Sequence, residues 1–219
     1  MDYLSARHIV TLNLEHLALM QEDSTYREIL ESADLIIPDG ESIVILEFLT
    51  KLFDTSSIDM EVQLTKYAGI DLACELIARI PKIVFWGAKL EVNTKLRDFV
   101  AKTSSAVIDE SFYFQHGFYY ENEEAALVEK INLEKPDLFL VALGNPRQDL
   151  FINKYKDKFP ETTFIGVGGS FDIWSGSLKR APEFIIKAKL EWLFRIIQEP
   201  HRISSLLKSL TSIFCKALL

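Results

Sequence analysis

Short apolar runs of strand length alternate with amphipathic segments along most of the chain. Several runs are apolar at every position, as in LFLVAL from Leu138, which is typical of strands buried on both faces of a parallel sheet. The pattern predicts strands at residues 8–13, 34–38, 82–87, 106–109, 137–143 and 163–168, and helices at residues 14–32, 41–53, 69–80, 91–103, 123–132 and 147–159. This alternation predicts an α/β fold, a Rossmann-like three-layer parallel sheet with helices on both faces.

The C-terminal part of the chain has a helical pattern without strands. Residues 182–198 predict one helix, which Pro200 interrupts. From Ser204 onward, apolar residues recur at three- and four-residue spacing opposite serines and lysines, which predicts an amphipathic helix. We therefore expect a Rossmann-like domain over residues 1–176 and a C-terminal helical, basic appendage over residues 177–219. The apolar face of the last helix has three candidate partners: a membrane surface, the domain itself or another subunit.

The charge of the chain is divided unevenly. The formal net charge is −8, but the residues from Gly176 to the end carry eight Lys/Arg against three Glu. An acidic body argues against general nucleic-acid binding. A basic appendage favours contact with an anion such as a phosphate or a membrane surface, although a basic helical surface without a partner has the same composition.

Cysteines and targeting patterns bear on the compartment. Cys74 and Cys215 are the only cysteines, which argues against a disulfide framework and fits a reducing compartment. The N-terminal sequence has no signal-peptide pattern, and no run is long and apolar enough for a membrane span. We expect a cytoplasmic protein.

Small and hydrogen-bonding residues collect directly after the predicted strands. In open α/β sheets, ligands bind at the carboxyl ends of the strands, so this edge is the candidate active site. The residues at these positions include Thr11, Asn13, Asp39, Gly144, Gln148, Gly168, Gly169 and Asp172.

Asp39 follows an entirely apolar strand and stands between Pro38 and Gly40. A partly desolvated carboxylate is a good proton acceptor near neutral pH, which makes Asp39 a candidate general base. PDG is also a common turn, in which Asp39 would cap the next helix. The residues alone leave both interpretations open.

The GVGGSFD segment from Gly166 suits a phosphate, because glycines let backbone amides approach an anion closely. The spacing is neither the dinucleotide fingerprint nor a Walker A motif. The histidines and cysteines lack metal-ligand spacing, and there is no D-x-D pair. We therefore expect no metal site.

Five segments in order resemble the WecG/TagA/CpsF family of bacterial glycosyltransferases: TLNLEHL, ADLIIPDGESIV, VALGNPRQDLFI, GVGGSFDIWSGSLKRAPEF and LEWLFRIIQEPHR. The resemblance covers nearly the whole chain and ends around Arg202. It implies inverting, metal-independent transfer from a UDP-sugar to a polyprenyl-diphosphate-linked saccharide in cell-surface polysaccharide biosynthesis. The implied donor is UDP-N-acetylmannosamine, its uronic acid or a UDP-hexose, with no cofactor. The basic amphipathic tail, taken with a membrane-held acceptor, predicts peripheral contact with the inner face of the cell membrane, and a homo-oligomer is compatible with the sequence.

The same resemblance implies roles for particular residues. Asp39 would be the general base, with Thr11 and Asn13 beside it in the catalytic pocket. Arg195 and Arg202 of the appendage would complete the site over the diphosphate, although Arg195 also has the spacing of an exposed pair with Glu191. The implied nucleotide-sugar-binding set is Gln148, Gly144, Gly168, Gly169, Asp172, Lys66, Arg195 and Arg202.

Two departures from the family pattern leave the donor sugar open. Lys66 and Ser205 stand where the family usually has arginines, and lysine lacks the bidentate geometry of arginine. They motivate an alternative, a catalytically inactive nucleotide-sugar-binding protein of the same fold. An unrelated Rossmann-like oxidoreductase is the third hypothesis, and NAD(P) binding would favour it.

Overall fold

Among the residues that the structure describes, six parallel strands form one sheet between two layers of helices. The computed structural model describes residues 5–38, 69–104, 112–188 and 190–217. The strands lie in the order β2-β1-β6-β5-β3-β4, and every neighbouring pair is parallel. The predicted three-layer Rossmann-like α/β fold is therefore confirmed. The strands are β1 (His8–Leu12), β2 (Leu35–Pro38), β3 (Ile83–Gly87), β4 (Phe112–Gln115), β5 (Leu138–Ala142) and β6 (Thr163–Gly166).

Helices connect most of the strands and form the last described part of the chain. A 3₁₀ turn, Lys156–Lys158, follows the sixth of them. The helices are α1 (Leu14–Glu22), α2 (Ser24–Glu31), α3 (Gly69–Arg79), α4 (Leu90–Thr103), α5 (Glu121–Leu133), α6 (Arg147–Tyr155), α7 (Ser170–Trp174), α8 (Glu183–Lys187), α9 (Glu191–Gln198) and α10 (Arg202–Ala217).

The sheet is buried on both faces because its central strands are apolar at nearly every position. Successive side chains of β3 point to opposite faces. Phe85 packs in the layer that contains α3, α4 and α7, whereas Trp86 packs in the layer that contains α5 and α6. Val10 and Leu12 of β1 pack against α1 and α2. The rigid core thus fixes where the carboxyl ends of β1, β5 and β6 lie.

The prediction of a single helix over residues 14–32 is wrong in one respect, because the helix is interrupted at Asp23. The backbone of Asp23 is extended, and its N–H donates to the carbonyl of Leu19 at the end of α1. Its carboxylate accepts the N–H groups of Thr25 and Tyr26 at 2.8 and 3.1 Å, which caps α2. One aspartate therefore ends one helix and begins the next.

Other boundaries also differ from the prediction. The helix predicted over residues 182–198 is two helices, α8 and α9, since the backbone at Leu190 lies outside the helical region. Strand β4 was not predicted. The strand predicted at residues 106–109 and the helix predicted at residues 41–53 lie outside the described residues.

The last helix, α10, packs on the domain. Leu206, Leu210 and Ile213 contact a cluster formed by Leu14 and Ala18 of α1, which is the second of the three partners expected for this amphipathic face. Other apolar side chains of the same helix stay exposed, with Leu207 58% exposed. In the described part of the chain, no helix combines the length and apolar character needed to cross a membrane.

Candidate active site

A cavity of about 480 Å³ lies at the carboxyl ends of β1, β5 and β6 and is covered by the C-terminal helices. Ligands of open α/β sheets bind at this edge, so the position agrees with the strand-end prediction. Of the predicted site residues, the described ones that line the cavity are Thr11, Asn13, Gly144, Gln148, Gly168, Gly169, Arg195 and Arg202. Asp172 lies on α7 between two lining residues, Ser170 and Ile173.

The end of β1 supplies Thr11 and Asn13. The hydroxyl of Thr11 is buried and donates to the carbonyl of Gly166 at 2.9 Å, so it ties β1 to the end of β6. The side-chain oxygen of Asn13 accepts the N–H groups of Glu15 and His16 at 3.0 and 3.2 Å. Asn13 is therefore the N-cap of α1, and its capping role fixes the orientation in which it faces the cavity.

The loop after β5 presents Gly144, Asn145 and Gln148. Gly144 has a φ of 73°, a conformation that residues with a side chain rarely adopt. Gln148 is only 2% exposed. Its amide nitrogen donates to the Asn145 side-chain oxygen at 2.8 Å, and its amide oxygen accepts the N–H of Gly168 at 3.1 Å. Gln148 therefore joins the loops after β5 and β6.

The loop after β6 brings backbone close to the C-terminal helices. Gly168 has a φ of 50°. A Cβ at Gly169 would collide with the guanidinium of Arg195, so any larger residue here would require this side chain to shift. Burial raises the pKa of the Asp172 carboxyl, nearby Glu199 adds to the rise, and the charge of Arg195 opposes it. The segment that the sequence marked for phosphate thus lies directly under a cation.

Arg195 and Arg202 approach one carboxylate oxygen from two helices. The Nε of Arg195 lies 3.5 Å from Oε2 of Glu199, and the Nη1 of Arg202 lies 3.4 Å from the same atom. Burial, and secondarily the charge of Arg195, hold the pKa of Arg202 below its usual range. Both distances are long for charge-assisted hydrogen bonds. Two cations sharing one loosely held carboxylate can accept a further anion.

The pair considered for Arg195 and Glu191 does not form. Glu191 instead lies 3.9 Å from Arg180, which also binds Asp71 through two nitrogens at 2.7 Å each. Arg180 therefore links the segment after α7 to α3 and lines the cavity while its charge is already matched. In the sequence, Arg180 stood only within the segment GVGGSFDIWSGSLKRAPEF, without a predicted role.

Further lining residues were not predicted. Glu15, Trp192 and Gln198 all line the cavity. Glu15 accepts a hydrogen bond from the hydroxyl of Ser205 at 3.3 Å, where an arginine was expected. The spacing of Glu15 and Ser205 along the sequence did not predict their contact, because α10 meets α1 only after the chain has folded.

Asp39 and Lys66 lie outside the described residues. Their predicted roles stay predictions. Asp39 directly follows Pro38, the last residue of β2, and β2 pairs with β1 so that Leu12 faces Pro38. The described part of the chain contains no group of three or more His, Cys, Asp or Glu side chains placed to hold a metal ion.

The arrangement favours an anionic ligand with hydrogen-bonding groups. The cavity lining combines Arg195 and Arg202 with a glycine-rich backbone and with hydroxyl and amide side chains. This combination is suited to a phosphorylated ligand.

Comparisons with known proteins identify the family of this chain. A family model described as "Glycosyl transferase WecG/TagA/CpsF family" matches residues 2–219. The chain belongs to this family. It is a glycosyltransferase, as the resemblance implied.

Two relatives carry the name N-acetylglucosaminyldiphosphoundecaprenol N-acetyl-beta-D-mannosaminyltransferase. The protein of Bacillus spizizenii is 34% identical over 206 residues, which cover 92% of this chain and 75% of the relative. The protein of Bacillus subtilis is 33% identical over 214 residues, covering 92% of this chain and 78% of the relative.

Proposed function

We propose that this glycosyltransferase moves a sugar from a UDP-sugar to a polyprenyl-diphosphate-linked saccharide with inversion at the anomeric carbon. The names of the relatives specify N-acetylmannosamine as the transferred sugar and an N-acetylglucosaminyl-diphosphate lipid as the acceptor. UDP-N-acetylmannosamine is therefore the first donor to test, ahead of its uronic acid or a UDP-hexose. The product belongs to cell-surface polysaccharide biosynthesis.

The observation that carries the proposal is the meeting of Arg195 and Arg202 above the glycine-rich loop after β6. A diphosphate placed there would receive charge from two guanidinium groups and would replace Glu199 as their partner. Arginine binds phosphate oxygens through two parallel N–H groups. The site can in this way neutralise a nucleoside diphosphate through the protein's own cations.

The proposed reaction is a single displacement. The acceptor hydroxyl oxygen forms a bond to the anomeric carbon while the bond from that carbon to the UDP oxygen breaks. The hydroxyl proton passes to the carboxylate of Asp39, the proposed general base. The departing UDP carries one more negative charge than it had as an ester, and Arg195 and Arg202 stabilise that charge as it develops.

We further propose a peripheral contact between the C-terminal helices and the inner face of the membrane. The appendage exposes Phe184, Ile197 and Leu207, which are 71%, 70% and 58% exposed, on helices that also carry a lysine or an arginine. Apolar side chains flanked by cations suit an anionic lipid surface. Such a contact would bring the cavity to a lipid-linked acceptor.

The decisive experiment is a screen of UDP-sugars against a short-chain lipid-diphosphate N-acetylglucosamine acceptor, with UDP release and glycolipid product measured together. Product formation from UDP-N-acetylmannosamine, unchanged by a chelator, is expected. UDP-sugar binding without release or transfer would support the alternative, an inactive nucleotide-sugar-binding protein. Failure to bind any UDP-sugar would overturn both.

A further inference from the structure

A chain of part-buried hydrogen bonds runs from the cavity lining to α1 and joins three of the strand-end loops. It starts at the N–H of Gly168, which donates to the Gln148 side chain at 3.1 Å, and Gln148 donates to Asn145 at 2.8 Å. The amide nitrogen of Asn145 then lies 3.1 Å from Nδ1 of His16 on α1. His16 is only 1% exposed and does not line the cavity.

The contacts of His16 fix its tautomer. The backbone N–H of Asn13 also points to Nδ1, at 3.2 Å, and a backbone N–H can only donate. Nδ1 must therefore be the acceptor for both groups, and the ring proton resides on Nε2. That nitrogen lies 3.5 Å from Oδ2 of Asp149, whose side chain is 2% exposed, and it makes no hydrogen bond within the described part of the chain.

Asp149 is held from its other side by Tyr26. The phenol hydroxyl donates to the same Oδ2 at 2.5 Å. Burial, followed by the nearby Asp149 charge, raises the pKa of Tyr26 well above its usual range, so the phenol keeps its proton and stays a donor. The three hydrogen bonds from Gly168 to His16 are aligned donor to acceptor, and such aligned chains polarise and strengthen their members.

We propose that His16 is a positioning residue for sugar transfer. It accepts from Asn145 and so fixes the amide of Gln148 and the N–H of Gly168, which line the donor cavity. This inference rests on the proposed function, because those groups are taken to contact the UDP-sugar. His16 itself touches no substrate, and its effect passes through Asn145.

The test uses two variants that break the same chain at different links. His16→Phe keeps a ring of similar shape and removes both nitrogens, leaving Asn145 without its acceptor. Asn145→Ala removes the connecting side chain at a partly exposed position and so keeps the test informative if His16→Phe folds poorly. Val128→Ala, at a fully buried position of α5 far from the cavity, serves as the matched destabilised control.

Two readouts separate positioning from general destabilisation. In the free protein, the Gly168 amide should exchange with solvent about tenfold faster in both variants, since it loses a fixed acceptor. In steady-state transfer, the donor KM should rise about tenfold with a smaller fall in kcat, and the double variant should resemble either single variant. Val128→Ala should change neither quantity.

The outcomes distinguish this inference from the proposed function. Unchanged Gly168 exchange, or unchanged donor KM in an active enzyme, would overturn the positioning role of His16. Faster exchange in variants of a protein that transfers no sugar even as wild type would show the structural link and overturn the proposed function instead. Additive effects of His16→Phe and Asn145→Ala would also contradict the inference, because they would place the two residues on separate paths.

Discussion

Gln198 binds the backbone of Lys179 at both of its polar groups. Its side-chain oxygen accepts the Lys179 N–H at 3.0 Å, and its side-chain nitrogen donates to the Lys179 carbonyl at 2.9 Å. The contact joins the end of α9 to the segment that leaves α7. Because α9 carries Arg195, this pairing helps to fix the position of Arg195 relative to the loop after β6.

Replacing Gln198 by glutamate should weaken the packing of α9, one of the helices that cover the cavity. The new carboxylate would face the carbonyl of Lys179 and repel it, whereas glutamine donates there. We expect donor KM to rise about tenfold, with a loss of about 1 kcal/mol in the free energy of unfolding, as for one or two exposed hydrogen bonds. Steady-state kinetics and urea unfolding measure both quantities.

The control for Gln198→Glu is Gln198→Ala, which removes the hydrogen bonds without adding a repulsive charge. It should have the smaller effect on donor KM. Equal kinetics for wild type and Gln198→Glu would show that the pairing does not influence Arg195.

Arg195→Ala and Arg202→Ala should each weaken UDP binding. Hydrogen bonds to charged groups contribute about 1.5–3 kcal/mol, so a loss of about tenfold to hundredfold in affinity is expected for each. Arg→Lys at the same positions should recover part of the loss, because lysine keeps the charge without the two-pronged geometry. Calorimetric titration with UDP measures the change.

The control is Lys187→Ala, which removes an exposed cation on α8 outside the cavity and should bind UDP as wild type does. Wild-type affinity in both arginine variants would contradict the assignment of these residues to the diphosphate.

Asp39→Asn should keep the fold and UDP binding and lose most of the transfer rate. Asparagine has nearly the shape of aspartate but cannot take up the acceptor proton. We expect kcat to fall about 10²–10⁴-fold, the usual contribution of a general base. Single-turnover transfer and UDP titration are the two measurements. Full activity in this variant would remove Asp39 from the base role, and loss of UDP binding would point to the turn-forming role instead.

The fold was largely predictable because its signals are local. The apolar runs of β3 and β5 are buried on both faces, and each ends where small or polar residues begin. The prediction failed where a single side chain decides between two local structures. Asp23 lies inside the helix predicted over residues 14–32, but its carboxylate caps α2 and divides that helix.

The site was predictable only in part, because much of it forms between distant segments. The strand-end residues follow from the fold class, and the arginines followed from the family motifs. Nothing in the spacing of the sequence links His16 with Asp149, or Ser205 with Glu15, since these contacts join residues more than a hundred positions apart. Buried polar contacts of this kind depend on tertiary packing.

The stability of the protein should fall in mild acid because of His8. Burial, and secondarily the charge of Lys156, lower the pKa of His8 from 6.5 to about 4, while Asp149 and Asp34 raise it slightly against that trend and His16 lowers it further. The unfolded chain takes up a proton as the pH falls through 6.5, but the folded protein does so only near 4. Stability is therefore full above pH 6.5 and decreases by about 3 kcal/mol as the pH falls to 4.

His8→Leu tests this contribution, because among the described residues neither ring nitrogen of His8 has a hydrogen-bond partner to lose. Urea unfolding at pH 7 and pH 4.5 should show a smaller loss of stability in this variant than in wild type. Other titrating groups cancel in the comparison. An equal loss of stability in His8→Leu and in wild type would exclude His8 as the source of the pH dependence.

The membrane contact can be tested at two exposed apolar side chains of α10. Ile203 and Leu207 are 45% and 58% exposed, whereas Leu210 on the same helix packs against α1. Ile203→Ser combined with Leu207→Ser should therefore leave the fold intact and reduce co-sedimentation with phosphatidylglycerol vesicles about tenfold, since each buried aliphatic side chain contributes about 1 kcal/mol or more.

Leu133→Ser, at an 82% exposed position at the end of α5, is the matched control and should sediment as wild type does. Added salt should weaken binding of the wild type, because part of the attraction is between lysines and anionic headgroups. Equal sedimentation of the double variant and wild type would assign these side chains no part in membrane contact and leave packing on α1 as the role of the helix.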